Sequence, residues 1–128
     1  MTPNMAITSS KQTVPLTYHS TIESDATSTA ANHVTGTNST LYAVTIDNDL
    51  NAGTIVFLKI YDSTSATVGT DAPYLTLPAD ADEKNITYHI PQGLTFTTGI
   101  SLACVTDGGG DAGTTSPTSD VIVRLLHT

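Results

Sequence analysis

Short β-prone runs punctuated by turn-forming residues at intervals of about ten recur along the whole chain, and no stretch carries an apolar stripe at the helical period. That pattern leaves an all-β fold as the natural outcome. The first run, residues 14–22, sets Leu16, Tyr18 and Ser20 on one face. Residues 23–39, rich in Ser, Thr, Ala and Asn, read as a long surface loop with at most a weak strand. Residues 41–46 form a strand in which Tyr42, Val44 and Ile46 alternate, and 47–53 form a turn. Residues 54–61 are almost continuously apolar through Ile55, Val56, Phe57, Leu58 and Ile60, as in a central strand buried on both faces.

Pro73 and Pro78 bracket an edge strand at 73–77. In 84–90, Ile86, Tyr88 and Ile90 point inward, and Pro91-Gln92-Gly93 reads as a turn. Residues 94–105 supply one or two strands broken at Gly99, and 107–119 a flexible loop. The closing strand, 121–126, sets Val121, Val123 and Leu125 opposite Ile122, Arg124 and Leu126. Seven to eight strands of this kind predict an antiparallel β-sandwich, jelly-roll or immunoglobulin-like. The Cys…Trp…Cys signature of immunoglobulin domains is missing, which favours the jelly roll. Residues 15–128 form one sandwich domain, preceded by a polar arm at 1–14. The expected core is Ile46, Ile55, Phe57, Leu58, Ile60, Ile86, Tyr88, Phe96, Leu102, Val121 and Val123. Truncating Phe57 to Ala is then expected to cost about 3–5 kcal/mol. With aromatics at 5% and no Trp, that core is thin, and association with other copies is expected to supplement it.

Charge narrows the partners. Twelve acidic against four basic residues give a net charge of −8, which argues against a nucleic-acid backbone. No run approaches the roughly 20 apolar residues of a membrane-spanning helix. The polar surface is mostly neutral, with 25 Thr and 11 Ser. Cys104 is the only cysteine, so no internal disulfide forms; within Ile100-Ser101-Leu102-Ala103-Cys104-Val105 it reads as a small buried hydrophobe. The first residues lack a basic segment followed by an apolar one, so synthesis in a reducing cytoplasm is expected.

Motifs that could carry chemistry are few. Asp47-Asn48-Asp49-Leu50-Asn51-Ala52-Gly53 opens like a calcium loop. Its sixth and twelfth positions, Ala52 and Leu58, then depart from the required Gly and Glu, so a hairpin turn is the better reading. Asp80, Asp82 and Glu83 form a second acidic group. His19, His33, His89 and His127 lack zinc-ligand spacing. There is no Gly-x-Ser-x-Gly elbow, and Gly108-Gly109-Gly110 lacks the Lys-Ser/Thr of a phosphate loop. Asn38-Ser39-Thr40 and Asn85-Ile86-Thr87 are glycosylation sequons of consequence only in a secreted eukaryotic chain. No catalytic, cofactor or metal residue is nominated, and a non-enzymatic protein is expected.

The runs Leu41-Tyr42-Ala43-Val44-Thr45-Ile46-Asp47-Asn48, Phe57-Leu58-Lys59-Ile60-Tyr61-Asp62 and Val68-Gly69-Thr70-Asp71-Ala72-Pro73 carry a likeness that Ile90-Pro91-Gln92-Gly93-Leu94-Thr95-Phe96 and Gly99-Ile100-Ser101 continue. They resemble small virion proteins of tailed bacteriophages, over roughly two-thirds of the chain. The resemblance implies a structural role on the particle, without deciding head from tail. The leading expectation is a capsid decoration, or cement, protein on the capsid exterior, made in the host cytoplasm, that bridges capsomers against the pressure of packaged DNA. Its partners would be the major capsid protein and further copies of itself, a trimer being favoured over a dimer. A tail, neck or fibre component is the alternative. A carbohydrate-binding module, stacking sugars on Tyr61, Tyr74 or Tyr88, is a third reading from another class. Arm residues Met5, Ile7 and Lys11 are the candidate partner contacts, because an extended segment can complete a neighbour's sheet edge. Deleting 1–12 should then spare the fold and weaken attachment.

Overall fold

The computed structural model describes residues 18–31, 38–108 and 110–128. Seven strands follow one another: β1 (His19–Glu23), β2 (Ser39–Asp47), β3 (Val56–Asp62), β4 (Leu75–Ala79), β5 (Ile86–Phe96), β6 (Ile100–Val105) and β7 (Ile122–His127). All pairings are antiparallel. They build a four-stranded sheet, β1-β7-β2-β5, and a three-stranded sheet, β4-β3-β6. The fold is the expected all-β sandwich, with no helix among the described residues.

Period-two alternation sorts the side chains. Val44 and Ile46 from β2, Val123 and Leu125 from β7, and Phe96 at the end of β5 pack against Val56, Leu58 and Ile60 of β3 and Leu102 and Cys104 of β6. Ile86, Tyr88 and Ile90 lean on this cluster, as their alternation predicts.

Three expectations are corrected. Tyr42 does not share the inward face of Val44 and Ile46. Against β7 the register runs Leu41↔His127 and then Ala43↔Leu126, so Tyr42 is an extra residue. That bulge turns Leu41, fully buried, into the core in its place.

Pro91-Gln92-Gly93 is not a turn between strands but an irregularity inside β5. His89 faces Ala43 and Leu94 faces Leu41, leaving residues 90–93 opposite Tyr42 alone. Proline has no N–H to give a ladder, and Gly93 takes a φ of 76°. A β-carbon on Gly93 would run into Thr40 Cγ2 and come within 3.0 Å of the Tyr42 ring.

Ile55 and Phe57 leave the predicted core. Ile55 precedes β3 and is 45% exposed, while Phe57 lies half-buried on the outer face of the strand. Val56, Leu58 and Ile60 take the inward positions, so the large truncation cost assigned to Phe57 belongs to them.

β3 is nonetheless central and buried on both sides, through Lys59 and Tyr61 on its outer face. Loops cover that face: Tyr61 packs with Ala66, Ala103, Ala30 and Val68. Gly69 of the 63–74 loop sits tightly against Thr114 and Ala112.

The long loop after β1 is partly bound. Ala31 N donates to Leu102 O (2.8 Å), Leu102 N to Ala31 O (3.1 Å) and Cys104 N to Thr27 O (2.8 Å). Residues 27–31 thus lie along the outer edge of β6. β4 is an edge strand, as Pro73 and Pro78 predict, and contains Pro78. The chain also breaks before Gly99, between β5 and β6.

Candidate functional site

The calcium-like segment 47–53 is a knot of structural hydrogen bonds. Asp49 N donates to Asp47 Oδ1 (3.1 Å), the local turn that aspartate favours. Asn48 is fully buried; its Nδ2 donates to Thr54 O (2.8 Å) and Asp80 O (3.1 Å), and its backbone N–H to Glu83 O (2.9 Å). Asn51 binds Ser119 through both ends of its carboxamide, at 3.1 and 2.9 Å. Asp49 turns to Lys84 (3.3 Å). The first, third and fifth residues of the motif therefore have separate partners, and three loops are tied together. Among the described residues, no three His, Cys, Asp or Glu side chains gather in a metal-holding group.

Two aspartates not singled out from sequence hold loops from their bases. Asp62 accepts from the backbone N–H groups of Thr97 (3.2 Å), Thr98 (2.8 Å) and Gly99 (3.3 Å) and from the Thr97 hydroxyl (3.1 Å). Partial desolvation pulls its pKa upward, but these four donors outweigh it and leave the carboxyl below its ordinary value. Asp107 accepts from Thr114 N (2.9 Å), Thr115 N (3.0 Å) and Thr115 Oγ1 (2.9 Å). The Thr114 and Thr115 amides bring its pKa down to about 2. Neither position stands out in a sequence already rich in Asp and Thr.

The loop closed by Asp107, expected to be flexible, is also pinned at its tip. Lys59 is 0% exposed, and its Nζ donates to Asp111 O (3.3 Å) and Gly113 O (2.9 Å). Beside it Tyr61 is buried, and its hydroxyl has no hydrogen-bond partner. Burial first, then the negative charges of Asp71 and Asp111, push that phenol up from its usual pKa. The one available signal in sequence is that Lys59 is the sole charge within an apolar run.

Cys104 is buried as expected, and desolvation raises its thiol pKa to about 12, which leaves it protonated and unreactive. The described histidines do not converge as a ligand set. His127 is buried against Thr21 Oγ1 (2.7 Å) and Thr128 O (3.0 Å), with the His19 ring 5.9 Å away, while His89 points outward from β5. His33, like Met5, Ile7 and Lys11, lies outside the described residues. Of the three tyrosines weighed as a sugar platform, Tyr61 is buried and Tyr88 is half-buried with its hydroxyl on Pro78 O. Only Tyr74 is exposed, and its ring meets Phe96 edge to face at 5.1 Å.

Among the described residues, what remains open is the outer face of the four-stranded sheet. The core-facing residues of β7 leave Ile122, Arg124 and Leu126 on the other side. Register places Ile22 and Thr45 beside Arg124, Ser20 and Ala43 beside Leu126, and Asp47 beside Ile122. Thr45 and Thr87 hydrogen-bond through their hydroxyls (3.0 Å), and Arg124 reaches Asn85 Oδ1 (3.4 Å). Ile22 is 58% exposed and Leu126 42%.

Neither family models, curated proteins nor solved structures contain a match to this chain.

Proposed function

We propose that the protein is a non-enzymatic structural component of a tailed-phage particle, and specifically a decoration protein on the outside of the head. The strand order carries this reading. With residues 27–31 counted beside β6, the two layers run β1-β7-β2-β5 and (27–31)-β6-β3-β4. That order supports the jelly-roll expectation, with the second of eight strands shortened to a bridge; viral coat domains and lectins are among the users of that architecture. The second of those uses suits this chain less well, since only one of its three candidate stacking tyrosines is exposed.

The polar side chains support the same reading. Asn48, Asn51, Lys59, Asp62 and Asp107 are engaged in holding loops. A body stiffened in this way suits a passive clamp on a lattice under pressure.

The test is to add the purified chain to heads that lack it and read its position in a particle reconstruction. Density outside the capsid shell is the expected result. Density on the tail or neck would move the protein to the alternative location, and no density anywhere on the particle would overturn the virion reading.

A further inference from the structure

We infer that the outer face of the four-stranded sheet pairs with the same face of a second copy about a two-fold axis. Charge distribution chooses the occupant. The chain carries −8 overall, so two copies repel across most orientations. Among the described residues this face carries both signs, one cation, Arg124, and one carboxylate, Asp47, on adjacent strands one register step apart. A two-fold axis lying in the contact plane sets each Arg124 over the other copy's Asp47. One self-complementary patch thereby makes two ion pairs.

The other described cations are engaged elsewhere, Lys59 under its loop and Lys84 with Asp49. Around the charged pair the face is made to lose water cheaply. Ile22 and Leu126 are exposed apolar side chains, and the Thr45 and Thr87 hydroxyls are hydrogen-bonded to each other. Apolar groups around an arginine are the composition of an interface centre.

Four strands at about 4.8 Å spacing and three cross-strand rows give a footprint of roughly 400 Å² per copy. Both copies together then bury roughly 800 Å², below the roughly 1,000 Å² that a stable specific interface clears, so the dimer should be weak and freely reversible. A two-fold pair departs from the trimer favoured on sequence, and it does not depend on the virion reading.

Sedimentation of the full chain over a wide concentration range tests the pairing. A monomer–dimer equilibrium is expected. Ile22→Lys or Leu126→Lys should abolish it with an unchanged melting curve. Arg124→Asp alone and Asp47→Arg alone should each weaken it at least tenfold, and the double exchange should restore it. A monomer at every concentration, a trimer, or a dimer indifferent to Ile22→Lys and Leu126→Lys would overturn the inference. So would single charge reversals that the double exchange fails to rescue. Because Asp47 also caps the turn at Asp49, Thr45→Lys provides a second probe at the centre of the face. Dimerisation that survives it would count equally against the pairing.

Discussion

Lys59 is the residue whose environment differs most from its sequence context. An ammonium held inside a protein by two carbonyl oxygens loses much of its hydration, and those carbonyls depend on it in turn. Lys59→Ala should cost about 2–4 kcal/mol in denaturant titrations, through an unfilled volume and two orphaned acceptors. Lys59→Met keeps the volume and should cost less, yet amide exchange in the loop closed by Asp107 should quicken in both variants. Unchanged exchange would mean that Asp107 alone holds the loop. In β3, Leu58→Ala should cost about 2–5 kcal/mol and Phe57→Ala clearly less, because the leucine faces the core and the phenylalanine does not. Near-continuous hydrophobicity concealed that difference. Where both faces of a strand read as apolar, alternation cannot say which one meets the opposite sheet.

Elements are held by their turns, and the turns titrate. Asp62 and Asp107 both ionise more readily folded than unfolded, so on acidification the unfolded chain takes up protons first. Their contribution is complete above the ordinary carboxyl pKa of about 4 and is lost as pH falls from there, for Asp107 toward about 2. Melting temperature should drop through that window, and Asp107→Asn should flatten the drop. A wild-type slope in Asp107→Asn would remove the clasp from the account.

Gly93→Ala should destabilise by more than about 1 kcal/mol, since a left-handed φ and the approach of Thr40 and Tyr42 both oppose a side chain. Chelator should leave the melting curve unchanged, because Asn48 and Asn51 already tie the 47–53 loop. A fall reversed by calcium alone would make that loop a cation site. The bulge was hidden from sequence for a definite reason: an inserted residue shifts the inward phase at Tyr42 without changing local composition, and only the register against β7 exposes it.

For the whole molecule, the strand class, the edge position of β4 and most of the core follow from alternation and turn chemistry. Ile46, Leu58, Ile60, Phe96, Leu102, Val121 and Val123 are buried as that pattern requires. What alternation cannot supply is coverage. The loop over Lys59 arrives from more than 50 residues downstream, and the segment along β6 from more than 70 upstream. The open face of the four-stranded sheet shows itself only once both layers are assembled.

Proline, bulge and bound segment act together on the margins of the sandwich. β4 contains Pro78, β5 carries Pro91 with its irregular stretch, and residues 27–31 occupy the free side of β6. Among the described residues this leaves β1 as the regular, unoccupied margin. Within those residues the sandwich has a valency of one for strand addition. A body of that valency ends a growing row of strands rather than extending it, so at high local concentration it would not template a fibre.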